Sequence, residues 1–488
     1  MGSDDRIRRR LSRTPSSGAI IAVLAISGMS ASFMQTIVLP IQSELPELLD
    51  STRDDTAWVI TATLLAASIV TPISGRLGDM YGKRRVALAL LALLVLGSLI
   101  AALSQGIELL ILGRALQGAV MGIVPLGISI LRDVLHTDRL GSAIALVSAT
   151  LGVGGALGLP ISALVAENFD WHVLFALSAV IGAVCFVLML VIVPVSTLRT
   201  PGRFDYAGAV GLALALSGIL VAISRGNEWG WTSPLTLGLG GAGIVILLAW
   251  AWFELRQGNP LVDLRVAARA PVLLTNLASI AMGFSLFASN VVFPQLLELP
   301  VASDVGLGLS LLAASLVLMP SGLAMMAMSP IAGRLERVVG AKPLLAAGAV
   351  LIFLSYVMAV LVRLEVWHVL LINIVLGVGI GLAYAAMPTL IMSAVPATET
   401  AAANGLNALM RSLGTSFASA AIGAVLAQSA VDVGGVAVPS QDGFQLAYLF
   451  GAAAAIIGAV LALVIPRRPA HPEPRPSLPP TSPIPTIR

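Results

Sequence analysis

Residues 71–84 read TPISGRLGDMYGKR, and residues 329–342 read SPIAGRLERVVGAK. At an offset of 258 residues, Pro72/Pro330, Ile73/Ile331, Gly75/Gly333, Arg76/Arg334, Leu77/Leu335 and Gly82/Gly340 are identical, and Arg84/Lys342 keeps its charge. Each copy closes one long apolar stretch and opens the next. The chain therefore repeats a unit made of two apolar segments joined by a basic, glycine-bearing turn. Glycine suits a sharp reversal because it has no Cβ.

The stretches around the repeat extend through the chain. Apolar residues make up 57% of the 488, about 278, and only 11% are charged. Mean hydropathy is +0.96. A soluble protein is about a quarter charged, so this chain cannot clothe a soluble surface. A membrane-spanning helix needs ~20 apolar residues, and fourteen of them use nearly the whole apolar inventory. The runs show no period-2 alternation of barrel strands, and backbone in lipid must satisfy its own hydrogen bonds. The segments at about 18–39, 57–75, 86–104, 108–131, 141–165, 172–194, 207–224, 234–253, 271–294, 305–331, 343–362, 367–393, 401–427 and 444–465 read as spans 1 to 14. The expected fold is an all-α polytopic membrane protein.

Charge checks the count. With the N-terminus inside, inner segments hold 23 of the 28 basic residues. Outer loops hold Arg53, Arg225 and Arg363, and Arg114 and Arg411 fall within spans. Acidic residues lean the other way, 14 of 25 outside. This split follows the positive-inside rule and places both termini in the cytoplasm. The seven tryptophans lie near span ends, as an aromatic belt requires.

The two copies of the repeat end spans 2 and 10. Eight spans separate them, an even number, so both face the same side. That is a parallel repeat of two six-helix halves. The expected organisation is a basic N-terminus at 1–17, a six-helix bundle at 18–194, a segment with two linker spans at 195–270, a second six-helix bundle at 271–466 and a proline-rich tail at 467–488. From Pro466 onward, nine of 23 residues are proline, so that end reads as extended and disordered.

Gly75 to Arg85, GRLGDMYGKRR, resembles the signature loop between spans 2 and 3 of the major facilitator superfamily. Arg114-Ala-Leu-Gln117-Gly118 resembles its R-x-x-Q-G motif in span 4, and Gly154 to Gly158 the start of its antiporter motif in span 5. Trp171 to Phe175 resembles the opening of span 6. Phe204 to Gly208 and Asn407-x-x-x-Arg411-x-x-Gly414 resemble the fourteen-span drug:proton antiporter branch. The match runs over about 18–466. It implies multidrug or amphiphile efflux by alternating access of two rocking bundles, coupled to protons, in the plasma membrane. Two departures stand out. Met34 occupies the place of the branch's span 1 aspartate, and Gly158-Leu-Pro160 shifts the span 5 proline by one and loses the trailing glycines.

The candidate site residues fall into three groups. Gly75, Arg76, Asp79, Gly82, Lys83 and Arg84 form the signature turn. The resemblance implies that Asp79 meets the N-terminus of span 13, where the helix dipole presents positive charge. Arg114, with Gln117 beside it, is a charge at membrane depth, a functional candidate by default; it reads either as a coupling cation or as a static tie to backbone carbonyls. The neutral polar residues Gln35, Thr36, Thr61, Asn276, Asn290, Asn404 and Asn407, with Arg411, mark candidate faces of a substrate cavity, or interhelical hydrogen bonds. No acidic residue falls at mid-membrane depth, while Arg114 and Arg411 do, and two further readings stand beside the first. One is an exporter of anionic or lipid-like compounds with non-standard or no proton coupling; the other is a non-transporting membrane sensor or assembly partner.

The four histidines are scattered, and no phosphate loop, nucleophile motif or metal spacing occurs. The expectation is a transporter and not an enzyme, without cofactor or metal, acting as a monomer on small-molecule substrates among membrane lipids. The net charge of +3 is too small and scattered to suggest nucleic acid.

Overall fold

The computed structural model describes residues 16–42, 44–195, 198–200, 202–303, 305–433 and 436–466. The basic N-terminus before Ser16 and the proline-rich tail from 467 lie outside the described residues. Among the described residues, fourteen helices are long and apolar enough to cross a membrane. Spans 1 to 7 are Ser17–Thr36, Asp55–Tyr81, Lys83–Ala102, Ile107–Val134, Asp138–Asn168, His172–Ile192 and Tyr206–Trp229. Spans 8 to 14 are Pro234–Glu254, Ala270–Glu298, Leu311–Val339, Ala341–Leu361, Val366–Ala394, Ala397–Gln428 and Gln441–Val464. A short hairpin, β1 (Ala430–Val433) and β2 (Val436–Pro439), joins spans 13 and 14.

Several helices outrun the sequence expectation. Span 2 runs through most of the signature stretch, so Gly75 to Asp79 form its last turns and the reversal rests on Gly82 alone. Gly82 sits at φ +107°, and Gly340 does the same between spans 10 and 11 at φ +87°. That backbone region favours glycine. Span 7 reaches Trp229 and takes in Arg225, which the sequence places in a loop. Arg225 is buried there, 4.8 Å over the Trp58 ring and paired with Glu228. An aromatic face accepts a guanidinium once water is removed, so the helix need not stop before the charge.

Buried side chains form two large apolar clusters. One runs from Ile20 to Val193 and adds Met392 and Ala401. The other runs from Ala278 to Ile465 and adds Ala145 and Ala149. Spans 5 and 10 pack along each other between them, as do spans 2 and 13. Spans 7 and 8 pair with one another and lie against spans 2 and 13 through span 7. Thr61 of span 2 is hydrogen-bonded to Ser224 of span 7 at 2.9 Å, and Asn227 reaches the Ala420 carbonyl.

The turns at Gly82 and Gly340 share one membrane face with Lys83, Arg84, Arg199 and Lys342, termed the basic face. The contacts that join the two clusters lie between mid-membrane and this face. A Cβ on Gly75 would sit 2.5 Å from the Ala401 carbonyl oxygen, and one on Gly333 2.5 Å from Ser142 Cα. The repeat thus places its two glycines at equivalent crossings, span 2 on the start of span 13 and span 10 on the start of span 5. Such close approach excludes any larger residue. Met325 of span 10 fills the space at Gly152 of span 5.

Candidate transport site and latch

Asp79 is fully buried at the end of span 2. Its Oδ2 accepts the Ala402 N–H at 2.8 Å and its Oδ1 the Ala401 N–H at 3.3 Å. These are the first amides of span 13, which lack intrahelical partners. The Asp79 backbone carbonyl accepts the Thr200 N–H, and the Thr200 hydroxyl donates to the Thr398 carbonyl. The segment before span 7 is thereby tied to both sides of the crossing. Arg132 of span 4 donates to the Thr400 hydroxyl at 2.5 Å.

The other signature residues divide in role. Lys83 is fully buried and donates to both Asp133 oxygens, at 2.8 and 2.7 Å. Asp133 is a site residue that sequence reading passes over, because it looks like one more loop acid. Arg84 donates to the Leu190 carbonyl of span 6. Arg76 lines a cavity of about 160 Å³ that residues 258–263, Val266 and Ala267 also line, with Thr200 and Glu399. Gly82 has the Arg199 guanidinium stacked over it. In the second copy Arg337 replaces Asp79 and donates to the Asp138 carbonyl. The carboxylate there moves one residue earlier, to Glu336, which abuts Gly141 of span 5.

Arg114 is fully buried in span 4. Nη1 donates to the Met34 carbonyl at 2.7 Å and to Gln117 Oε1 at 2.9 Å, and Nε to the Val59 carbonyl at 3.4 Å. Gln117 in turn donates to the Ser98 hydroxyl at 2.8 Å. The Arg114–Gln117 pair therefore ties spans 1, 2, 3 and 4 together and faces the bundle interior. Met34, in the place of the branch's aspartate, offers its carbonyl to this cation and its thioether to Gln117.

A second, small cavity of about 10 Å³ lies between the two clusters. Val124, Ile128, Ser148 and Leu151 line one side, and Pro388, Asn404, Asn407 and Arg411 the other. Arg411 lies 4.9 Å over the Tyr384 ring. Asn407 donates to Asn276 Oδ1 at 2.9 Å and to the Ser279 hydroxyl at 2.7 Å. Asn404 Nδ2 bonds back to the Thr400 carbonyl. Asn404 Oδ1, Ser148 Oγ and the Tyr384 hydroxyl are buried without a hydrogen-bond partner. Buried polar atoms are normally paired, so the site holds unused hydrogen-bonding capacity. Among the described residues lining it there is no acid.

Asn404, Asn407 and Arg411 come together at this cavity, with Asn276 bonded to Asn407. The others do not join them. Thr61 serves the linker contact with Ser224. Thr36 bonds the Phe33 carbonyl and packs on Gly158, where span 1 crosses span 5. Gln35 is half-buried beside it, and Asn290 is exposed toward the far end of span 9. Tyr384 and Ser148 carry no sequence signal, since one aromatic and one serine in apolar spans have no distinguishing spacing.

The profile of the Major Facilitator Superfamily matches residues 24–419. The chain belongs to that superfamily. This facilitator is a multi-pass membrane transporter, and its fourteen spans fit the fourteen-span drug-efflux branch. It is 26% identical to the lincomycin resistance protein LmrB of Listeria monocytogenes over 91% of this chain and 96% of that protein. It is also 26% identical to the multidrug resistance protein Stp of Mycobacterium tuberculosis, over 77% of this chain and 69% of that one. Among solved structures, the proton:xylose symporter XylE superposes with a TM-score of 0.64 at 13% identity, covering 92% of this facilitator and 96% of XylE. The human organic anion transporter MFSD10 gives 0.63 at 13% identity, over 92% and 100% of the chains. The structural likenesses establish the fold, and the family match establishes the transport class.

Proposed function

We propose that this facilitator exports drug-like amphiphiles by alternating access, coupled to protons. The bundles at 18–194 and 271–466 rock about the cavity at Arg411, while span 7 of the segment 195–270 packs against spans 2 and 13. The basic face and both termini are cytoplasmic in the plasma membrane, and the working unit is one chain. The observation that carries this reading is the closure of the basic face: Asp79 caps span 13, and the Gly75 and Gly333 crossings pack the bundles together there. Parting these contacts opens the cavity to the cytoplasm; remaking them opens it outward. The resistance proteins LmrB and Stp support a drug-like substrate.

A second reading follows from the cavity itself. Arg411 and unpaired hydrogen-bonding atoms line it with no acid among the described residues. That charge balance favours an anionic or zwitterionic substrate, and proton coupling through a cavity carboxylate has no residue there to carry it.

Purified protein in liposomes, loaded with a panel of cationic, neutral and anionic compounds and a pH-sensitive dye, tests both. The main reading expects compound efflux with counterflow of protons for amphiphiles of either sign. Efflux confined to anions without proton movement selects the second reading. Absence of flux for every compound contradicts both and favours a sensor or assembly role.

A further inference from the structure

Two carboxylates face each other where spans 7 and 8 meet the basic face, away from the central cavity. Asp205 caps span 7, its Oδ1 accepting the Gly208 N–H at 2.7 Å. Its Oδ2 is buried and has no hydrogen-bond partner. Glu254 ends span 8 and is 2% exposed. Neither of its oxygens makes a hydrogen bond of normal geometry, although the Leu261 and Val262 amides lie on its loop side. A Cβ on Gly208 would lie 2.5 Å from Glu254 Oε1 and 2.6 Å from Asp205 Oδ2. The two oxygens are therefore within about 5 Å of each other. Ala209, Leu212, Trp250, Leu261 and Val262 form an apolar cluster around them, and the Trp250 indole N–H is already committed to the Gly208 carbonyl.

The charged groups acting on Glu254 are Asp205 from the start of span 7 and Arg76 from span 2; residues 261 and 262 contribute backbone only. Arg76 is 8% exposed and also lies within electrostatic range of Asp79. Two buried carboxylates against one guanidinium leave one negative charge over. Two like charges this close in an apolar site do not both ionise readily, and a buried unpaired charge is strongly disfavoured. One proton makes the group of three neutral. It also supplies an O–H donor to an oxygen that otherwise has none.

We propose that Glu254 holds a proton against the Asp205 carboxylate, forming a proton site at the linker spans that is read by Arg76. In the protonated state Arg76 is shared between Asp79 and a singly charged pair. Loss of the proton places a second negative charge on the linker side and draws Arg76 away from Asp79. The site thereby links pH to the latch without an acid in the central cavity, and it holds whichever solute is moved.

The test is infrared spectroscopy of the full-length protein in liposomes, from about pH 5 to about pH 9. Native protein, Glu254→Gln, Asp205→Asn and the double variant are compared. Asn keeps an acceptor for the Gly208 N–H, so D205N retains the cap. The expected result is a carboxylic C=O band in native protein that disappears on alkalinisation and is missing from both single variants. Because only one proton is held, the double variant loses no more intensity than either single variant, and the amide signal of the helices is unchanged. Native and variant spectra that titrate alike would overturn the proposal. So would a band that responds to exchanging potassium for sodium at fixed pH, which would make the ligand a metal cation. Should E254Q fail to insert, D205N decides the same question.

Discussion

Asp79 Oδ2 and the Ala402 N–H meet at 2.8 Å although 323 residues separate them. The bond joins the last turn of span 2 to the first turn of span 13. An anion at a helix N-terminus is worth ~0.3 to 2 kcal/mol, the upper end in buried geometry. Here water is excluded and two amides are satisfied, so the upper half of that range applies. A contact of this size can set the balance between two conformations without locking either.

Replacing Gly75 by alanine should wedge the same crossing. The new Cβ has the Ala401 carbonyl at 2.5 Å, which is backbone and cannot rotate aside. Overpacking of this kind is disfavoured by ~1 to 3 kcal/mol. Cysteines placed on the basic ends of spans 2 and 13 should cross-link more slowly in Gly75→Ala than in the parent. Gly333→Ala should do the same for spans 5 and 10. Unchanged rates in both would show that the crossings do not hold the face closed.

Removing Arg114 should act mainly on stability. Arg114→Ala leaves the Met34 carbonyl and Gln117 Oε1 buried without their donor, and each orphaned group is worth ~1 to 3 kcal/mol. Thermal unfolding in detergent, followed by tryptophan fluorescence, should shift down by several degrees. Arg114→Lys should recover part of this, since an ammonium replaces one donor and not the forked set. If Arg114→Ala unfolds like the parent yet no longer transports, the residue is a coupling cation instead of a tie.

The Lys83–Asp133 pair gives a sharper contrast. Lys83→Ala removes two charge-assisted hydrogen bonds from a mostly buried carboxylate and should lower stability by up to ~3 to 5 kcal/mol. The double variant Lys83→Met, Asp133→Leu removes both charges and should fall near the parent. Equal losses in single and double variants would show that packing by the lysine stem matters more than charge.

The fourteen spans were legible because lipid leaves helices few alternatives, and the basic residues fix the parity of the loops. The ends were not. Nothing in GRLGDMY breaks a helix before Gly82, so span 2 runs on past residue 75 where hydropathy fades. Arg225 reads as a loop charge until Trp58, from another helix, is seen beneath it. The cavity was half legible. Asn404, Asn407 and Arg411 share a helical face, and that face does line the space between the clusters. Thr61 fits the same description on span 2 but turns to Ser224, because sequence does not say which neighbour each face of a span meets. Glu254 stands at a span end, where sequence suggests water, yet it is buried beside the backbone of Leu261 and Val262.

At the cavity, Arg411→Ala should weaken binding of anionic compounds by about tenfold, ~1.4 kcal/mol, and leave neutral ones nearly unchanged. Tyr384→Phe removes an unpaired hydroxyl but keeps the ring under the guanidinium, so it should change selectivity less. Equilibrium binding to the purified protein, with matched anionic and neutral ligands, measures both. An equal loss for neutral ligands would mean that Arg411 shapes the pocket and does not read charge.

The latch is tested most directly by spin-label distances between the basic ends of spans 2 and 13, in the parent and in Asp79→Asn. Asparagine keeps the shape and one acceptor but loses the charge that faces the first amides of span 13. The account predicts that the short-distance population falls in Asp79→Asn, that a longer one rises, and that transport slows while expression and unfolding temperature hold. An unchanged distance distribution together with parental transport would contradict it.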